Sequence, residues 1–503
     1  MRNFSKSRLI SLRQCHKRFW LEVFKPELKT DSQQTQVKYN TGHAVGDRAR
    51  QLFDPDGTGV LIDLQEEGFE QALSRSLQLL QGNRPIFEAG FSGGGVLAFA
   101  DVMLPASQQP AWHMIEVKSS AQVKEYHLDD IAIQSYAAVA AGIALESISL
   151  AHLDSRWVYP GEQNYAGLFK VNDLTREALR RHGEVAEWVR EAQSIANAPS
   201  APTQRMGPQC TAPFECGFIA HCSQGSTPAQ FPVQWLPRIS AKKVQALEAG
   251  GISDLRDVPD HTLSSSQLRV KQASVSGVPY FDAAGAMKDL KGYPPPCLFL
   301  DFETTAFAVP LWAGTRPYQA ICFQFSLHTL DDKGVLSHQA FIDLSGDNPS
   351  EAFALSLIQA CGETSHAIFV YNATFEKGRI TELADNLPHL ADQLVRINRR
   401  IVDLQPITRN HYYHPAQQGS WSIKKVLPAL VPELNYDDLE GIQDGNMAML
   451  AYQEAIAPDT SPDRKEEIRR QLLDYCKLDT YSMVRIWQVL ALAGNAPEAS
   501  RRM

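Results

Sequence analysis

Residues 298–304 read LFLDFET: Leu298, Phe299 and Leu300 are apolar, Phe302 continues the run, and Asp301 and Glu303 stand two apart at its end. So short an apolar run, set just after Pro294-Pro295-Pro296, predicts a buried strand, and the period of two puts both carboxylates on one face. Further along, Ile368–Glu376 (IFVYNATFE) repeats the pattern as a strand, an Asn turn and Glu376 entering a helix. Asp474–Thr480 (DYCKLDT) reads as helical, so Tyr475 and Asp479, at i and i+4, share a face. Four carboxylates meeting at one place repel unless divalent cations neutralise them. The pattern therefore points to a two-metal site, with Tyr475 placed to hold an attacking water. Taken singly each piece is commonplace, a strand-end cap or a helix face; the order is what carries the expectation.

A second constellation precedes it. Gly93-Gly94-Gly95 predicts the turn of a hairpin between Ile86–Phe91 and Val96–Leu104, with Asp101 on the second strand. Trp112–Ser120 (WHMIEVKSS) predicts a third strand, where Glu116 and Lys118 project to one face. Carboxylates and an imidazole can hold hard cations that stabilise the charge gained in phosphodiester hydrolysis, and a neighbouring lysine can orient or deprotonate the water. His43, in GHAVG, is expected to open an upstream helix and supply the nitrogen. Gln134 and Tyr136, on the helix DIAIQSYAAV, are expected to touch substrate. Glu-x-Lys alone on a strand is more often a solvated cross-strand pair.

This order of His, Asp, Glu-x-Lys and Gln resembles the RecB-like branch of the PD-(D/E)XK nucleases, including the CRISPR-associated RecB-like exonucleases, over about residues 1–222. The resemblance implies that His43, Asp101 and Glu116 bind Mg²⁺ or Mn²⁺, that Lys118 is catalytic, and that Glu88 is an additional acidic position. It departs at Gln134-x-Tyr136, where many members have Gln-x-x-x-Tyr. The C-terminal order resembles the DEDD exonucleases of ribonuclease H-like fold, in their Tyr-x-x-x-Asp form. That implies Asp301, Glu303, Glu376 and Asp479 as metal ligands and Tyr475 as the water-orienting group. Here the departure is Glu376, where Asp is general; one extra methylene shifts a metal by about an ångström, enough to cost about 10²-fold in rate. The whole arrangement resembles a bacterial family of unassigned role that fuses the two.

Four of the eight cysteines form one set, Cys15 with Cys210, Cys216 and Cys222 (CTAPFECGFIAHC). One distant cysteine and three clustered ones resemble the [4Fe–4S] staple of some RecB-like nucleases; Zn²⁺ and plain thiols are the rival readings. Cys297, Cys322, Cys361 and Cys476 are expected to be small buried hydrophobes.

The length, 503 residues, predicts two to four domains at roughly 100–200 residues each. The expected parts are 1–224 with the first site and the cysteines, a small helical spacer 225–293, 294–493 with the second site, and a tail 494–503. The expected class is therefore α/β, a restriction-endonuclease-like domain and a ribonuclease H-like one joined by the spacer. In the spacer, LPRISAKKVQALEAGGISDLRDVP resembles a helix-hairpin-helix, with Lys242 and Lys243 beside amides that would hold phosphates; a plain helical linker reads equally well. Lys424 and Lys425 are further candidate contacts to a nucleic-acid backbone. Forty-eight basic against 57 acidic residues, a charge of −9, exclude a globally basic binder but not a local groove. No leader or membrane-spanning stretch is read, so a cytoplasmic protein is expected. The expected function is metal-dependent hydrolysis of DNA ends or single strands, with RNA open, in repair or phage defence. No G-x-x-x-x-G-K-[ST] occurs, so a motor would be a separate helicase or defence-system protein. The alternative is a nucleic-acid-binding scaffold with one site, the C-terminal one, inactive.

Overall fold

The computed structural model describes residues 2–30, 33–107, 110–224 and 229–492; the expected tail lies outside them. The class is α/β, and the chain divides into two units rather than three: Met1–Ser226 with Phe307–Gln319, and Thr227–Ala306 with Ala320–Met503. Among the described residues, no helix is long and apolar enough to cross a membrane.

The first unit is built on a seven-stranded sheet of β1 (Phe4–Ser5), β2 (Val60–Leu61), β3 (Ile86–Gly93), β4 (Val96–Pro105), β5 (Ala111–Lys118), β6 (Ala144–Leu153) and β7 (Phe169–Asp173). The order is β2-β3-β4-β5-β6-β7, with β1 lying parallel to β4. The hairpin β3–β4 turns at Gly94 and Gly95, whose φ values of 61° and 85° require glycine there. Along β5 the even residues Trp112 and Met114 enter the main core and Glu116 and Lys118 follow on the same face, while Ile115 packs opposite. The helix Glu125–Ala140 covers that core face with Ile131, Ala132, Ala137 and Ala138. Phe307–Gln319 packs within this unit: the Tyr165 hydroxyl donates to the Pro310 carbonyl at 3.1 Å and Tyr318 to that of Ser119 at 2.6 Å.

The second unit has a two-stranded ribbon, β8 (Tyr280–Phe281) with β14 (Tyr412–Tyr413), and a five-stranded sheet. The sheet comprises β9 (Cys297–Thr305), β10 (Ile321–Leu330), β11 (Leu336–Ile342), β12 (Ile368–Val370) and β13 (Ile401–Asp403), in the order β11-β10-β9-β12-β13. β9 is central, antiparallel to β10 and parallel to β12. Its even residues Leu298, Leu300 and Phe302 enter one core, and Cys297 and Phe299 the other. The spacer does not stand alone: Leu236, Leu255, Val270 and Leu290 share a core with Phe299, Phe369 and Trp487.

Candidate functional site

In both units the strand face that begins as core ends in acids, at the carboxyl end of an interior strand. Parallel neighbours leave room for a ligand at that edge.

On β9 the odd face runs Cys297, Phe299, Asp301, Glu303. The helix Pro462–Leu492 brings Tyr475, Cys476 and Asp479 to bear on it. Ligand atoms of Asp301, Glu303 and Cys476 lie within 4.8 Å of one another, the tightest such group among the described residues. Cys476 is buried, as expected, but not as a bland hydrophobe: its Sγ stands 3.8 Å from Asp301 Oδ2. The Tyr436 hydroxyl donates to Asp479 Oδ1 at 2.6 Å. Lys424 Nζ lies 5.1 Å from the ring of Tyr475 and 5.4 Å from that of Tyr436, and donates to the Gln443 carbonyl. Lys424 is thus a countercharge to Glu303 and Asp479 within the acid site rather than a peripheral backbone contact; Lys425 is exposed.

Glu376 sits in the first turn of the helix Ala373–Asn386, 3% exposed, with Oε2 buried and without a hydrogen bond. It lies outside the close group, yet near enough to act on Asp301. The start of its helix is fixed by Asp403 at the end of β13, whose carboxylate accepts the amides of Asn372, Ala373 and Gln405 at 3.0–3.1 Å. Asn372 holds the left-handed turn at φ 84°, which suits Asn better than most residues.

Burial, then the neighbouring acids, push Asp301 and Glu303 well above the carboxylate range. Burial lifts Asp479 to about 6 against the pull of Tyr436, and lifts Glu376 to about 8. Such a set is stabilised by a cation, and its hard oxygens suit Mg²⁺ or Mn²⁺.

In the first unit, His43, Glu88, Asp101, Glu116 and Lys118 line one pocket of about 340 Å³. His43 lies within the helix Gln33–Phe53 rather than at its start. Among His43, Glu88, Asp101 and Glu116, no three ligand atoms come within 4.8 Å of one another. Glu88 takes left-handed backbone inside β3 at φ 55°, which turns it into the pocket at a cost on the order of 1 kcal/mol. A carboxylate beside Asp101 and Glu116 belongs with the acids; it is poorly suited to contact a phosphate.

Asp101 Oδ2 accepts the Val117 amide at 2.6 Å, and Glu116 is 1% exposed. Burial, then Glu116, raises the Asp101 carboxyl well above its ordinary range. Burial works against the charge on Lys118, but Asp130 and Glu116 hold it as an ammonium well above the usual lysine range. Lys118 therefore offers a positive charge, not a neutral base, at neutral pH.

Two expected substrate contacts are elsewhere. Gln134 is 0% exposed and donates to the Phe99 carbonyl of β4, so it holds the strand that bears Asp101. Tyr136 packs its ring 5.6 Å from that of His182 and against the turn at Gly94. The helix face that reads as substrate-facing is occupied by core, because Ala132, Ala137 and Ala138 bring the helix down on the sheet.

Cys15, Cys210, Cys216 and Cys222 line one small cavity, Cys15 at the break between the helices Lys6–Gln14 and His16–Phe24. The Arg18 amide donates to Cys15 Sγ and the Phe218 amide to Cys216. Gln14 ties the two chain segments by donating to the carbonyls of Gln209 and Phe214. The four soft donors suit a thiolate-held metal. A tetrahedral zinc with bonds of about 2.3 Å would bring its sulfurs to about 3.8 Å; no three of these sulfurs lie within 4.8 Å.

The spacer has helices at Ala241–Ala249 and Ser265–Ser276, but within the helix-hairpin-helix-like stretch the second half is a single 3₁₀ turn, Leu255–Asp257. The amides of Gly250, Gly251 and Ile252 donate to Ala246, Glu248 and Leu247 carbonyls. They close the helix and are not available to a phosphate, which leaves Lys242 and Lys243 as exposed surface charges.

Sequence reasoning passed over Lys6, Asp130 and Tyr436, and took Cys476 only as a small buried hydrophobe. Only Cys476 carried a signal, being flanked by Tyr475 and lying three before Asp479.

Residues 298–422 match a family model described as a domain of unknown function (DUF2779). No curated protein and no solved structure shows significant similarity to the chain.

Proposed function

We propose that the chain is a metal-dependent nuclease with two sites, each hydrolysing phosphodiester bonds and acting on DNA ends or single strands. The observation that carries this reading is that Asp301 lies close enough to Asp479, Glu303 and Glu376 for each to act on it, with Tyr475 beside Asp479 and Glu303. Buried acids so close are poorly tolerated without a countercharge, and Lys424 supplies only one. Bound Mg²⁺ or Mn²⁺ would neutralise them and stabilise the charge gained by the phosphodiester. Burial and the surrounding acids raise Tyr475 far above the usual range, so its hydroxyl stays protonated and can donate to a water or phosphate oxygen. In the first site the Lys118 ammonium is placed to hold a phosphate oxygen or the incoming water. The folds that suit these sites are a PD-(D/E)XK one in the first unit and a ribonuclease H-like one in the second.

We assign the four cysteines to an iron–sulfur cluster that staples the N-terminal helix to residues 210–222. Zinc is the alternative for the same four donors. A second reading, an inactive C-terminal site in a nucleic-acid-binding scaffold, is favoured by Glu376, a glutamate where the resemblance implies an aspartate.

The test is cleavage of end-labelled single- and double-stranded DNA and RNA with Mg²⁺ or Mn²⁺, comparing Lys118→Ala and Asp301→Ala. Distinct products lost in each variant support two active sites. Dependence on Lys118 alone supports the scaffold reading for the second unit. Full cleavage by the double variant overturns both assignments.

A further inference from the structure

Glu116 is shared unequally. Its Oε1 takes two ammonium groups, Lys6 Nζ at 2.7 Å and Lys118 Nζ at 2.6 Å, while Oε2 is buried and makes no hydrogen bond. The same lysines meet again on Asp130, Lys6 at Oδ1 (3.2 Å) and Lys118 at Oδ2 (2.5 Å). Two positive and two negative groups thus form a closed ring, in which Glu116 and Asp130 are both buried.

The four members come from three places in the chain. Lys6 is delivered by β1, held parallel to β4 at Val96 and Leu97, and Ser5 caps the helix that Lys6 begins by accepting the Arg8 amide. Asp130 lies on the helix Glu125–Ala140, four residues before Gln134. Glu116 and Lys118 end β5. Nothing in the sequence links Lys6 or Asp130 to that pair, yet the fold seats both lysines between the same two acids.

A carboxylate with one oxygen clamped by two ammonium groups has one oxygen and one orientation left to offer. A lysine bridged to two carboxylates is likewise fixed in direction. Glu116 also lines the pocket of His43 and Asp101. We propose that Lys6 and Asp130 are positioning residues of the first site: Lys6 pins Glu116 so that Oε2 serves the bound cation, and Asp130 holds both ammonium groups in register. This rests on the nuclease reading of that site.

The proposal predicts an unusual pair of effects. Removing Lys6 deletes a positive charge beside the acids, so a divalent cation binds at least as tightly. It also frees Glu116 to turn, so turnover falls; misplacement by about an ångström is worth about 10²-fold. A general folding defect weakens binding and turnover together.

The test uses the full chain with Asp301→Ala, so that the second site is silent. Mn²⁺ binding is followed by electron paramagnetic resonance, and cleavage of single-stranded DNA gives kcat and KM. Lys6→Met is expected to keep one bound ion per chain at equal or higher affinity, with kcat down about 10²-fold and KM within threefold. Lys6→Arg is expected to recover at least tenfold of that loss. Lys6→Met with Asp130→Asn is expected to fall no further than the worse single variant, as groups acting as one unit do.

Turnover within twofold of the parent in Lys6→Met, or affinity and turnover falling together in Lys6→Met with no recovery in Lys6→Arg, overturns the proposal. A parent that binds Mn²⁺ but cuts nothing removes the nuclease reading instead. Lys6 is then judged by affinity alone: weaker Mn²⁺ binding in Lys6→Met counts against it, equal or tighter binding for it.

Discussion

Tyr436 and Asp479, 43 residues apart in sequence, are joined by a hydrogen bond of 2.6 Å from the phenol to Oδ1 inside the acid cluster of the second unit. Asp479 is thereby held on one side by Tyr436, and the ring of Tyr475 lies 6.2 Å from that of Tyr436. A hydrogen bond to a charged group contributes about 1.5–3 kcal/mol. Tyr436→Phe keeps the ring and removes only the donor. We expect second-site turnover to fall about tenfold or more, with the Mg²⁺ requirement raised and first-site cleavage unchanged. Metal titration of each activity checks this; unchanged second-site kinetics would make the contact incidental.

Glu376 gives the metal-free protein a pH dependence of definite sign. Its folded carboxyl titrates near 8, raised by burial, against an ordinary value of 4.5. The folded state therefore binds more protons than the unfolded state between those values, and stability is lost as pH rises through that window. The slope from this one group reaches about 1.4 kcal/mol per pH unit. Thermal unfolding in a chelator is expected to show a falling Tm from pH 5 to pH 8. Glu376→Gln should flatten the fall, and Mg²⁺ should restore most stability at the alkaline end. A Tm that rises over that range would remove Glu376 as the dominant group.

The strands were the legible part. Asp301 with Glu303, and Glu116 with Lys118, lie on shared faces because side-chain alternation is a property of the strand itself. The helix pair Tyr475 and Asp479 is legible for the same local reason. Lys6, Asp130 and Tyr436 were not, because each reaches its partner through tertiary packing: parallel pairing of β1 with β4, descent of an alanine-rich helix on the sheet, and a 3₁₀ turn at Tyr436–Asp438. Gln134 misled for a related reason. A polar side chain among Ile131, Ala132, Ile133 and Ala137 reads as a site, whereas here it satisfies a strand carbonyl in the core.

A metal centre shared by Cys15 and the segment about 200 residues away would restrain a long loop of the unfolded chain. Cys15→Ser is expected to lose iron and acid-labile sulfide together, and to lower the stability of the first unit by several kcal/mol. Iron and sulfide analysis of anaerobically purified protein, with denaturant unfolding, measures both. A colourless protein carrying one zinc per chain would assign the site to zinc instead.

Gln134 separates a supporting role from a catalytic one. Its amide donates to the Phe99 carbonyl, two residues before Asp101, and its own Oε1 is buried without a partner. Gln134→Ala leaves that carbonyl unpaired in the core and opens a small cavity, at a cost of about 1–3 kcal/mol for the lost hydrogen bond alone. Gln134→Met replaces the amide with an apolar chain of similar length. It fills the space and still lacks the donor. We expect both to lower the unfolding midpoint, Ala more than Met. First-site turnover should fall only as far as β4 shifts, and most of it should return at low temperature. A group that touches substrate behaves in the opposite way, losing activity at every temperature while stability is unchanged. Denaturant unfolding and cleavage rates at two temperatures therefore distinguish the roles, and loss of activity at full stability would return Gln134 to the substrate.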